Sequence, residues 1–266
     1  MVPPWVPDLP PPDADNAEDG QGQDEAPPQV EPSVPVVPDV PIAPARRFYG
    51  SRLNLGKFGK SGNHDDLRRG VGQYFRTGLG GTRTAVKRFG GTARTAGTLY
   101  GALETISGAR PAAANDPLNP AALLGRSGRE IITAVIEVVA PVDGTQDTEA
   151  AKPSINDALS ALAERFPDVD LLRLTEQQRD FVIECYLGLD VYRRFVLDVG
   201  GAIRDAAPTA SVALARLKEA KNYIRETIAA AFRKLRQAGA RSARQVSQLV
   251  HTTLRDAIDV FQEYAE

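Results

Sequence analysis

Thirteen of the chain's 20 prolines fall within its first 44 residues, together with nine acidic residues and neither lysine nor arginine. Proline removes a backbone donor and pushes the residue before it toward extended or polyproline II geometry. Net negative charge and few large apolar side chains leave too little burial to offset chain entropy. Residues 1–47 are therefore expected to form a disordered, Pro-rich acidic arm. The plain reading of such a stretch is a solvated tail or linker. The functional reading is a recognition arm. Trp5, the only tryptophan, stands between Pro4 and Val6-Pro7. A tryptophan in a stiff extended segment can anchor in a partner's groove with little order left to lose. Pro3, Pro4, Trp5 and Pro7 are the partner-binding residues expected of this arm. The stretch Val34 to Ile42 is apolar enough to lie against a surface.

The rest of the chain is segregated by charge as well. Residues 46–94 hold 12 basic residues against two acids, Asp65 and Asp66, and 12 glycines lie between Gly50 and Gly97. The remaining residues are close to neutral, so the formal net charge of −2 conceals three different stretches. The domain organisation read from this is an acidic arm (1–47), a basic Gly-rich segment with helices (48–108), a linker loop (109–126) and a helical body (127–266). The body is where an ordinary core is expected.

The periodicity is helical. In the basic segment, Asp65 or Asp66 is placed to cap a helix from Leu67 to Arg76, loosened by Gly78, Gly80 and Gly81. A second helix is expected from near Thr82 to near Ser107. Arg83, Lys87 and Arg94 would share one of its faces, while Ala85, Gly97 and Gly101 would let another backbone approach closely on the other. In the body, Ser127 or Gly128 opens a helix that ends at Pro141, and Ser154 caps the next, which Pro167 stops. Thr175 and Gln178 form a capping-box pattern. Behind it Phe181, Val182, Cys185, Leu189, Tyr192, Val196 and Val199 recur at helical spacing, with a weakening at Gly200-Gly201 and an end at Pro208. A long helix follows, carrying Leu214, Leu217, Ile224, Ile228, Ala231 and Leu235. Ser242 and Gln245 open the last. No stretch alternates with period two over a strand's length, so the fold class is all-α, a helical bundle with antiparallel neighbours across short loops.

Several chemistries are excluded. One cysteine, Cys185, permits no disulfide framework within the chain, and two histidines, His64 and His251, leave little for a histidine-ligated metal. Cys185 lies on an apolar stripe and reads as a small buried hydrophobe rather than a nucleophile. His64-Asp65 is similar to a metal-phosphohydrolase doublet but has no further histidine nearby, and a metal hydrolase on it is the weakest reading of the chain. Gly56 to Ser61 ends in the Gly-Lys-Ser of a phosphate-binding loop. The glycine such a loop needs is Asn54 here, and no buried strand precedes it, so a flexible basic loop is expected instead. No Ser–His–acid pattern stands near a nucleophile elbow. No catalytic residue, cofactor or metal is expected. No apolar run reaches the length of a membrane span and the N-terminus has no signal-peptide pattern, which makes the cytoplasm the default compartment.

The basic segment admits two functional readings beside a merely solvated face. Arg68, Arg69, Arg83, Lys87 and Arg94, with aromatic residues interleaved, can track a phosphate backbone. They can equally dock an acidic surface.

Taken together, certain stretches resemble the QatB family, the B component of the four-gene Qat anti-phage defence system. They are Val2-Pro3-Pro4-Trp5-Val6-Pro7, Arg46 to Phe58, Ser61-Gly62 with Asp65 to Gly70, Gly90 to Arg94, Pro141 to Asp147 and Phe195 to Gly200. The resemblance spans nearly the whole chain. It implies a non-enzymatic subunit whose companions are an ATPase, an enzyme similar to the deazaguanine-biosynthesis ligase QueC and a TatD-like nuclease. It further implies that the chain is the partner, and a candidate protein substrate, of the QueC-like enzyme, with modification at the extreme N-terminus. The family pattern leads to expect a short Gly/Ser-rich leader ahead of Val2, where this sequence reads Met1. The alternative is a stand-alone nucleic-acid-binding protein that uses the basic segment.

Overall fold

The chain divides into two units, Met1–Ile42 and Ala43–Glu266. A computed structural model describes residues 46–141, 146–236 and 242–265, all in the second unit, so the arm residues Pro3, Pro4, Trp5 and Pro7 lie outside the described residues. Among the described residues all regular structure is helical. The elements are α1 (Tyr49–Ser61), α2 (His64–Gln73), a π-helical turn (Tyr74–Gly78), α3 (Gly81–Arg88), α4 (Gly90–Ile106), a short α5 (Pro120–Leu123), α6 (Gly128–Val139), α7 (Gln146–Arg165), a 3-10 turn (Leu171–Arg173), α8 (Glu176–Ala206), α9 (Ala210–Leu235) and α10 (Ala243–Gln262). No described helix is long and apolar enough to cross a membrane.

Helix α8 is the axis of the fold. It is 31 residues long and starts at the predicted capping box, with the Thr175 hydroxyl accepting from the Gln178 amide. Its middle is buried all round: Val182, Ile183, Cys185, Tyr186, Leu187, Leu189 and Val191 are each no more than 5 % exposed. A helix apolar on every side belongs inside a layer of other helices. Helices α7 and α9 run antiparallel to it. Arg193 reaches Asp157 and Phe181 meets Phe166 on one flank. Tyr192 donates to the Leu217 carbonyl and Arg233 to Glu184 on the other. Helix α1 lies parallel to its C-terminal half, with Arg52 donating to the Asp198 carbonyl and Gly59 against Ile203. Helix α10 closes the far side, packed on α4 and α9.

Four local expectations are corrected. Gly56 to Ser61 is not a loop but the second half of α1. A β-carbon at Gly59 would sit 2.7 Å from the Ile203 carbonyl oxygen, so this glycine is the contact that lets α1 close on α8 rather than a breaker. The helix expected from Thr82 to Ser107 is interrupted at Phe89, which separates α3 from α4. Ser154 is not a cap: α7 begins at Gln146 and carries Pro153 inside it, and the Ser154 hydroxyl bonds back to the Ala150 carbonyl. Asn63, not Asp65 or Asp66, caps α2, its side chain accepting from the Asp65 amide. The stripe on α9 holds at Ile224 and Ile228, which are buried, and at Leu217 and Ala231, which pack against the core, while Leu214 is 69 % exposed and Ala213 and Phe232 are buried beside it.

The expectation about the small face of α4 holds at Gly97, whose absent β-carbon would meet the Ala243 carbonyl oxygen of α10 at 2.7 Å. One hydrophobic core runs from Phe48 through the basic segment to Phe261. Its centre is aromatic. Phe75 stacks on Phe261 at 5.0 Å, and Tyr74 meets Phe75 and Phe195 edge-on at 5.0 and 5.3 Å. Each such pair adds roughly 1 kcal/mol beyond area burial.

Candidate functional site

Where α1 enters the fold, a cleft of about 320 Å³ opens between the start of α1, the π-helical turn, the end of α3, the start of α7 and the second half of α8. Among the described residues three guanidinium groups line it, those of Arg47, Arg88 and Arg194, with Asp198 the one carboxylate. The sequence places them there for identifiable reasons. Arg47 precedes Phe48, whose ring is buried against Tyr74 at 5.6 Å, and its guanidinium lies 4.5 Å over the Phe48 ring centre. Arg52 lies over the same ring at 5.7 Å. Arg88 and Phe89 end α3 at the break that interrupts the helix. Asp190, Arg194 and Asp198 follow one another at four-residue spacing along α8, so one side of the helix carries a charged ladder.

The ladder is braced from behind. Asp190 is fully buried; Arg194 donates to its carboxylate at 3.2 Å and Thr92 at 2.6 Å. The Arg194 guanidinium also lies 5.5 Å over the Phe89 ring. The Tyr74 hydroxyl donates to Asp198 at 2.9 Å. Burial first, and the charge and hydrogen bond of Asp198 second, push the Tyr74 phenol well above its ordinary pKa, so it remains a donor. Among the described residues no carboxylate pairs with Arg47 or Arg88. The floor and rim are apolar: Leu79 and Phe89 are buried, and Leu197 stands 77 % exposed at the edge.

None of the five predicted basic residues lines this cleft. Arg68 and Arg69 are exposed on α2, where Arg68 is 3.4 Å from Asp65 and 5.6 Å over the Tyr264 ring. Arg83 and Lys87 are exposed one turn apart on α3. Arg94 lines a second cleft of about 530 Å³, with Arg110 and Arg244 as its companions over the small residues Gly97, Gly101 and Ala102. Sequence reasoning thus found basic residues by their density and missed Arg47, Arg88 and Arg194, which meet only in the fold. For Arg194 the legible signal was the four-residue spacing of Asp190, Arg194 and Asp198 among the apolar residues of α8.

The histidines are exposed, and the one thiol is buried. His64 stands 3.3 Å from Glu219 and edge-on to Phe58. Cys185 is 5 % exposed, and burial pushes its thiol up to about 11. Among the described residues no group of three or more His, Cys, Asp or Glu is placed to hold a metal ion.

A family model described as "Qat anti-phage system associated protein QatB" matches residues 80–261. The match takes in α4, α8 and the residues Arg88, Arg194 and Asp198 of the arginine cleft, while Arg47 and the arm precede it. No curated protein and no solved structure matches the chain.

Proposed function

The chain belongs to the QatB family and so is a component of the Qat anti-phage system; from that premise we propose that it serves there as a non-enzymatic subunit, engaged through its N-terminal arm as the partner and candidate protein substrate of a QueC-like enzyme. The observation that carries this reading is the family match over residues 80–261, from the basic segment through the helical body. The arm supplies the means. Trp5, framed by Pro3, Pro4 and Pro7, gives one large apolar anchor on a backbone that proline keeps extended. The non-enzymatic part of the reading is supported by the burial of the Cys185 thiol, which keeps the chain's one thiol away from any substrate. Arg68, Arg69, Arg83, Lys87 and Arg94, all exposed, are proposed to meet an acidic face of a companion component, the ATPase or the TatD-like nuclease, or else nucleic acid. Binding to nucleic acid that falls steeply with salt would select the second of these.

The test is affinity capture of the full-length protein with the other Qat components, followed by mass spectrometry of its N-terminal peptide. The QueC-like enzyme is expected to co-purify with the intact chain and to be lost with Trp5→Ala, along with phage resistance. Turnover of a substrate by the purified chain alone, or full defence by Trp5→Ala, overturns the reading.

A further inference from the structure

We propose that the cleft lined by Arg47, Arg88 and Arg194 is a binding site for a phosphorylated nucleoside, a role separate from the arm and from the assembly it serves. Guanidinium forks match the oxygen geometry of a phosphate group in a way a single ammonium cannot. Two of the three forks, on Arg47 and Arg88, have no carboxylate partner among the described residues. The third, on Arg194, is held in place by the buried Asp190, which is the kind of support that fixes a recognising side chain before its ligand arrives. Among the described residues the lining sets the three guanidinium groups against the single carboxylate of Asp198, a balance that favours an anionic group such as a phosphate.

The other lining groups select what the phosphate is attached to. Asp198 is an acceptor set among donors, with its second role, accepting from Tyr74, already filled at 2.9 Å. It repels a second anionic group and accepts from a neutral hydroxyl such as those of a ribose. The exposed Leu197 at the edge offers an apolar surface for a flat base. The volume, about 320 Å³, sits at the small end of ligand clefts and suits one nucleotide rather than a chain of them.

Isothermal titration of the full-length chain alone, with no other component present, tests this. The probes are AMP, GMP, CMP and UMP, with orthophosphate and the four unphosphorylated nucleosides beside them. At least one monophosphate is expected to bind saturably, at least about tenfold tighter than its nucleoside and than orthophosphate. Arg88→Ala should weaken it about tenfold; Arg88 is exposed, so the fold is expected to persist, which circular dichroism checks. Asp198→Asn should narrow the gap between the monophosphate and orthophosphate. No saturable binding of any monophosphate up to about 10 mM, or binding unchanged in Arg88→Ala, overturns the proposal. So does a polyglutamate peptide that binds and loses affinity in Arg88→Ala while the nucleotides do not bind, since the cleft would then serve an acidic protein segment.

Discussion

Asp190 holds Arg194 from inside the core: the carboxylate is fully buried, the guanidinium donates to it at 3.2 Å, and only the outer part of the arginine reaches the cleft. Removing one member of such a pair leaves the other desolvated without its counter-charge, and the loss exceeds what the pair itself contributes. Asp190→Ala is expected to lower the unfolding free energy by about 3 kcal/mol. Thr92→Val, which removes only the hydroxyl that donates at 2.6 Å, should cost about 1.5 kcal/mol. Urea denaturation followed by circular dichroism measures both, and equal, negligible shifts for the two variants would show that the buried carboxylate is solvated after all.

The helical glycines Gly59 and Gly90 differ in what a side chain would meet, and the same substitution separates them. Gly59→Ala puts a methyl group 2.7 Å from the Ile203 carbonyl oxygen, where the obstacle is backbone and α1 must move off α8. It is expected to cost about 2 kcal/mol. Gly90→Ala, at the start of α4, meets nothing within 4 Å and should be neutral or stabilising by up to about 1 kcal/mol, because alanine has less chain entropy to lose. Thermal midpoints of the two variants give the comparison directly.

This division explains much of what the sequence showed and hid. Some helix starts were legible: Thr175 and Ser242 cap as their capping-box partners indicate, and Ser127, one of the two residues expected to open α6, caps it. The all-helical class was legible because apolar residues recur at helical spacing in every long element. Helix α1 was not, since Gly50, Gly56 and Gly59 look like breakers until the helix that needs them close is known. Nor was the start of α7, where Pro153 looks like a boundary but sits within the helix. The arginine cleft was hidden for a different reason. Arg47, Arg88 and Arg194 are more than 40 residues apart in sequence, and only the packing of α1 and α3 beside α8 brings them to one cavity. The density of basic residues pointed instead to exposed side chains on α2, α3 and α4.

The buried thiol and phenols fix how stability responds to alkali. Burial pushes the Cys185 thiol up to about 11 and, helped by the neighbouring Tyr264, the Tyr223 phenol up to about 12; Tyr74 and Tyr192 are raised as well, again chiefly by burial. Each group holds its proton more tightly folded than unfolded, so between its unfolded and folded values the native state carries more protons and stability falls as pH rises. The urea midpoint should therefore hold near neutral pH and decline from about pH 8.5 upward, the unfolded thiol value. Cys185→Ala should flatten the first part of that decline, up to about 11, and leave the later tyrosine part. A midpoint that rises between pH 9 and pH 11 would contradict the burial of these groups. In the same experiment at pH 8, Cys185 should resist alkylation until denaturant is added.

Threonine contributes with opposite sign at a helix start and in a helix interior. Thr175 stands exposed ahead of α8; its hydroxyl accepts from the Gln178 amide at 3.3 Å, and the Gln178 side chain accepts in return from the Thr175 amide at 2.9 Å. Thr175→Ala leaves one of the helix's first amides without a partner and should cost about 1 kcal/mol. Thr133 is also exposed, but it sits inside α6 with its hydroxyl bonded back to the Arg129 carbonyl at 3.0 Å. That bond duplicates what the helix already satisfies, and a β-branched side chain loses rotamer freedom there. Thr133→Ala should raise stability by about 0.5 kcal/mol. Chemical denaturation of the two single variants and the double variant resolves the pair, with the double expected to lie near the sum because the two sites belong to different helices.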